Sequence, residues 1–147
     1  GGGGRGYSEF GAIPLVGVSG FGAQAASSGS GGQGAAFGGA LFVRAGTVSI
    51  RESSFNASTA AATNSLRLGG AIFVLDEAAQ VAHNAIPGAS RQGMPEVLPM
   101  VNGCSVAFSG NSAASQAGTD SNNHDVYGTS RALLVEPCKD IFLDGFE

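Results

Sequence analysis

Six residues occur twice. Gly38-Gly39-Ala40-Leu41-Phe42-Val43 returns as Gly69-Gly70-Ala71-Ile72-Phe73-Val74, with one conservative change and an offset of 31 residues. A second echo links Phe55-Asn56-Ala57-Ser58-Thr59-Ala60-Ala61 to Phe108-Ser109-Gly110-Asn111-Ser112-Ala113-Ala114. The two kinds alternate along the chain, as parts of one repeating unit do, and the offset falls within the range of ~20–50 residues that marks solenoids and related arrays. A chain built this way is constrained to bring look-alike segments together. Strand patterns lie between the echoes: in Thr47–Arg51, Val48 and Ile50 share one face while Thr47, Ser49 and Arg51 share the other. The alternation slips a phase before Ser53 and Phe55 resume it, which marks a corner, and Val106 and Phe108 repeat the pattern after Cys104.

These features predict an all-β fold, a right-handed single-stranded parallel β-helix of about four to six coils. Each coil needs sharp corners around a narrow interior. Gly38, Gly39, Gly69 and Gly70 suit corners that feed strands, because glycine tolerates left-handed dihedrals. Phe55 and Phe108 suit the interior, and Asn111 suits a turn whose stacked side chains hydrogen-bond up a column. The composition agrees, with 25 glycines and only 12% charged residues among 147. Residues 1–33 read as a glycine-rich segment, partly disordered or an incomplete coil. Residues 34–135 read as the coils, interrupted by a loop over 84–103 that holds Pro87, Pro95 and Pro99. Residues 136–147 read as a capping tail. Helix signals are thin: Asp76–His83 has room for two turns, but a strand continuing from Phe73 competes.

The GGA[ILV] and FxxN patterns resemble the repeats of bacterial polymorphic outer-membrane proteins and related secreted β-helix proteins, over roughly residues 34–128. The first FxxN copy carries Ser58 at the Asn position. Asn122-Asn123-His124-Asp125-Val126-Tyr127-Gly128 is similar to the segment that closes such repeat regions. Cys138-Lys139-Asp140-Ile141-Phe142-Leu143-Asp144-Gly145-Phe146-Glu147 resembles a short tail found on exported bacterial proteins. The resemblance implies secretion or display at a bacterial cell surface, a natural C-terminus, and missing sequence N-terminal to Gly1. Cys104 and Cys138 allow one disulfide, worth about 3–4 kcal/mol by loop entropy, or two buried thiols.

The net charge of −4 is concentrated in residues 120–147, and no basic cluster offers a nucleic-acid surface. No apolar run approaches a membrane span. Candidate chemistry is sparse. Asp76 and Glu77 are adjacent and so on opposite faces of a strand, Arg44, Arg51 and Arg67 have room to line one outer face but with Glu52 the only acid among them, and His83 and His124 lack partners at metal spacing. Asp120, Asn122 and Asp125, with Asn123, gather oxygen ligands that calcium would use, although turn formation explains them equally well. The expected function is that of a non-catalytic exported or surface protein with a structural or adhesive role, with no resident cofactor and with a carbohydrate or other surface partner. The alternatives are part of a polysaccharide-degrading enzyme whose catalytic coils lie upstream, and a self-associating matrix protein.

Overall fold

The structure is a computed structural model. It describes residues 20–23, 34–62, 66–86, 94–113 and 121–139. Most of the glycine-rich 1–33 segment, Asp120 and the tail beyond Lys139 lie outside these residues.

In chain order the first five strands are β1 (Ala36–Phe37), β2 (Leu41–Val43), β3 (Thr47–Arg51), β4 (Ser54–Asn56) and β5 (Thr59–Ala60). A second series follows as β6 (Arg67–Leu68), β7 (Ile72–Val74), β8 (Met100–Cys104), β9 (Ala107–Ser109) and β10 (Ser112–Ala113). A last strand, β11 (Val126–Tyr127), comes after a 3-10 turn at Ser121–His124. Helix α1 (Glu77–Asn84) separates β7 from β8, and α2 (Arg131–Val135) follows β11.

The second series pairs with the first, strand by strand and in parallel: β1 with β6, β2 with β7, β3 with β8, β4 with β9 and β5 with β10. The two copies of the hexapeptide lie side by side in register, Leu41 with Ile72, Phe42 with Phe73 and Val43 with Val74. On the other edge of β7, Val126 pairs with Ile72 and Tyr127 with Phe73.

This arrangement corrects the expected all-β, right-handed β-helix solenoid of four to six coils. The strands form separate parallel sheets, four of two strands and one of three, with two α-helices among them. The reason lies downstream of Ala113. Among the described residues, the third position is supplied only beside β7, by β11, so the other sheets stop at two strands. The stretch 84–103 is likewise not wholly loop, because β8 begins at Met100.

The paired glycines have two different jobs. Gly69 has φ of +64°, and a Cβ there would also overlap the Ile72 carbonyl oxygen. Gly70 sits where a Cβ would strike the His124 carbonyl oxygen and backbone atoms of Ser112, so it permits close approach of neighbouring segments. Corners elsewhere use other residues in the same conformation, with φ of 47° at Glu52, 52° at Ala57 and 53° at Ser105. The phase slip noted before Ser53 is the Glu52 corner.

Inside, Val43, Ile50, Ile72, Val74, Val101, Val106, Val126 and Leu134 form one aliphatic cluster, with Phe55 and Phe108 against it. The two phenylalanines stack with centroids 5.6 Å apart. Strand β7 is buried on both faces, so Phe73 belongs to a second cluster with Leu68 and Leu75. Helix α2 packs on β8. It is held there by backbone bonds from Val106 N to Leu134 O (2.9 Å) and Ser105 N to Glu136 O (2.6 Å). A disulfide joins Cys104 to Cys138 across the same contact, with Cα atoms 4.8 Å apart.

Candidate binding site: an aromatic cavity beside the first helix

Period-two alternation puts the middle residue of each Leu/Ile-Phe-Val strand on the face opposite its neighbours. Register then does the rest. Phe42, Phe73 and Tyr127 occupy equivalent positions in β2, β7 and β11 and form a column of near-parallel rings. Phe42 and Phe73 are 5.2 Å apart at 10°, and Phe73 and Tyr127 are 5.4 Å apart at 3°. Phe37, at the end of β1, lies 4.7 Å from Phe73, and Phe21 lies 5.2 Å from Phe37. Phe73 is fully buried, whereas Phe42 is 43% exposed and leaves one end of the column open.

Helix α1 faces this aromatic surface. Its start is fixed by Asp76, whose carboxylate accepts the Ala79 N–H at 2.8 Å in an N-cap, and Glu77 suits the positive end of the helix. Gln80 ties the helix to the following segment by donating to the Pro95 carbonyl at 2.9 Å. The face turned to the rings carries Ala78, Ala79, Ala82 and His83. Because three of these are alanines, helix and rings do not meet fully. A cavity of about 340 Å³ remains, bounded also by Phe21, Phe37, Leu66, Leu68, Ile86 and Tyr127. Its size is that of a small-molecule site. His83 is buried against Phe21, with ring centroids 5.1 Å apart. The Tyr127 hydroxyl lies 3.5 Å from Asp76 Oδ1. Burial first, and then the Asp76 carboxylate by repulsion and hydrogen bonding, raises the Tyr127 pKa above its usual 10.0.

The candidates picked out in the sequence go elsewhere. Asp76 is an N-cap and Glu77 an exposed first-turn residue, so the pair faces no common substrate. His124 Nδ1 accepts the Ala113 N–H at 3.2 Å, far in role from His83. Of the calcium candidates, Asp120 and the Asn122 side chain lie outside the described residues. Asp125 is committed to Arg131, whose Nε lies 2.7 Å from Oδ2, and to Asn111 Nδ2 at 2.9 Å from Oδ1. Asn123 Oδ1 accepts the Gly69 N–H at 2.9 Å. Asn111 does not join a column of asparagines; its Oδ1 accepts the Ser58 N–H and its Nδ2 also donates to the Phe55 carbonyl. Arg131 covers the Phe108 ring at 5.4 Å.

The cavity itself is not legible in the sequence. Phe21, Phe37, His83 and Tyr127 are distant in sequence; only the register of Tyr127 with Phe73 could have joined two of them. No helix among the described residues is long and apolar enough to cross a membrane. No protein-family model, curated protein or solved structure matches the chain.

Proposed function

We propose that the chain is a non-catalytic protein of the exported or cell-surface kind, with an adhesive role, and that the aromatic cavity beside α1 is its binding element. The observation that carries this reading is the cavity: a concave, mostly apolar site walled by rings whose positions are fixed by strand register. Rigid aromatic walls bind with little ordering cost. The acids nearest to a chemical role already have structural ones, Asp76 as a helix cap and Asp125 in the knot with Asn111 and Arg131. The disulfide supports an oxidising compartment, where such bonds persist. The resemblance of the repeats to those of surface proteins points the same way.

The test is retention of the purified, oxidised chain on immobilised bacterial envelope, extracellular matrix and glycan arrays. The Ala82→Phe variant, which fills the mouth of the cavity from an exposed helix position, is run beside it. Retention that Ala82→Phe abolishes while the melting temperature holds supports the proposal. Absence of retention on every surface, or release of new reducing or unsaturated sugar ends, overturns it.

A further inference from the structure

We infer that the cavity takes an uncharged group bearing an aromatic ring, and that it rejects sugars. The inference names the ligand for the site just given an adhesive role, and it rests on that reading for the choice of site. It follows from what the lining can and cannot satisfy. Of the lining side chains only His83 and Tyr127 carry polar atoms, and none is a Lys, Arg, Asp or Glu. A pyranose brings several hydroxyl groups. Each would leave water for an environment with too few partners, which costs more than the contact returns. A charged ligand meets the same objection more severely, since no lining side chain is a Lys, Arg, Asp or Glu.

Among apolar groups, the geometry of the walls favours a ring over an alkyl chain. Phe21 is tilted by 51° to Phe37 and by 52° to His83, so the site presents both ring faces and ring edges. A bound ring can set its own positive edge against a face and its own face against an edge, within the centroid spacings of about 4.5–7 Å that such pairs adopt. An alkyl chain gains burial and dispersion there but no such face-to-edge attraction. The volume of about 340 Å³ admits one fused bicyclic ring with room to orient. Helix α1 sets this limit, because Ala78 and Ala82 are exposed at the mouth and small.

Indole is the probe, with methyl glucoside and octanol as comparators, titrated into the full oxidised chain by calorimetry and by saturation-transfer NMR. Tyr127 reports locally, since the chain has no tryptophan and two tyrosines, and a Tyr127→Phe variant isolates its signal. The expected result is one site for indole, affinity at least tenfold weaker for octanol, and no binding of methyl glucoside. Ala82→Phe and, independently, Ala78→Phe should each weaken indole at least tenfold. Leu133→Ala, at an exposed position on α2, should leave it unchanged. Failure of indole to bind, equal binding of octanol or of methyl glucoside, or indifference to both filling variants overturns the inference. The two readings separate cleanly. Adhesion that persists without indole binding removes the ligand class and leaves the adhesive role, whereas indole binding without adhesion does the reverse.

Discussion

Asn111 is a buried polar side chain that bridges the two strand series, and its removal has a calculable cost. It is 8% exposed and makes three hydrogen bonds that join three segments. Oδ1 accepts from Ser58 N at 2.9 Å, and Nδ2 donates to Phe55 O at 3.0 Å and to Asp125 Oδ1 at 2.9 Å. Asn111→Ala leaves the Ser58 N–H and the Phe55 carbonyl without this partner inside the fold. Each such orphaned group costs about 1–3 kcal/mol. Asp125 keeps Arg131, so its share is smaller. The sum expected is about 3–4 kcal/mol, a fall in melting temperature of roughly 6–16 °C for a chain of this size. Asn111→Asp preserves the acceptor, removes the donor and sets a second carboxylate beside Asp125; it should cost at least as much at neutral pH. Asn56→Ala, at an exposed corner position one strand away, should stay within about 0.5 kcal/mol. Chemical denaturation of the three variants, with the slope against denaturant checked for constancy, makes the comparison. A loss below 1 kcal/mol for Asn111→Ala would refute the claim that this side chain bridges the two strand series.

Reduction of the Cys104–Cys138 bond, or replacement of both cysteines by serine, should cost about 3–4 kcal/mol, because the bond closes a loop of sequence separation 34; thermal melts with and without reductant measure it. Gly110→Ala should cost about 1–2 kcal/mol from its φ of +62° alone, since a Cβ there meets only Ala57 N at 3.9 Å, whereas Gly69→Ala adds an overlap with the Ile72 carbonyl and should prevent folding or cost several-fold more; denaturant midpoints rank the two. Stability should decline as pH rises past about 10, because the unfolded Tyr127 loses its proton there while burial and Asp76 keep the folded one protonated, and the decline should level once the folded value is passed. Urea midpoints between pH 9 and 12 for the parent chain and Tyr127→Phe isolate that contribution, which is absent in the variant.

The pairing of the two hexapeptides was legible because it is written in residues with stringent requirements. Gly69 combines a left-handed dihedral with a Cβ position that would overlap the Ile72 carbonyl, and Gly70 faces a crowded backbone, so a side chain fits at neither. The inward turn of Val48 and Ile50 was legible from alternation alone. The extent of the stack was not. A repeat says that two segments resemble each other, but how many strands a sheet gathers depends on whether the intervening chain returns to every position. Among the described residues after Ala113 it adds a strand only beside β7, where Val126 and Tyr127 fit the Ile72–Phe73 register despite sharing no glycine pair with it. Helix α1 was also ambiguous in sequence. The N-cap at Asp76 decides for helix only once Phe73 is buried on the face that the helix must cover.

The candidate site was hidden for a related reason: a cavity is written in what side chains leave out. Ala78, Ala79 and Ala82 look like filler in a chain already rich in small residues, yet on α1 they line the cavity, and their small size leaves it open. The aromatic wall was scattered over more than one hundred positions, from Phe21 to Tyr127, and acquires meaning only through pairing. Parallel register converts one local rule, the alternation of faces, into a long-range one. If Phe42 faces outward, Phe73 and Tyr127 must do so too, and the aliphatic residues on either side of them must face inward. The same repeat that builds the aliphatic interior therefore assembles an aromatic exterior face, and a helix too small in its side chains to cover that face turns it into a site.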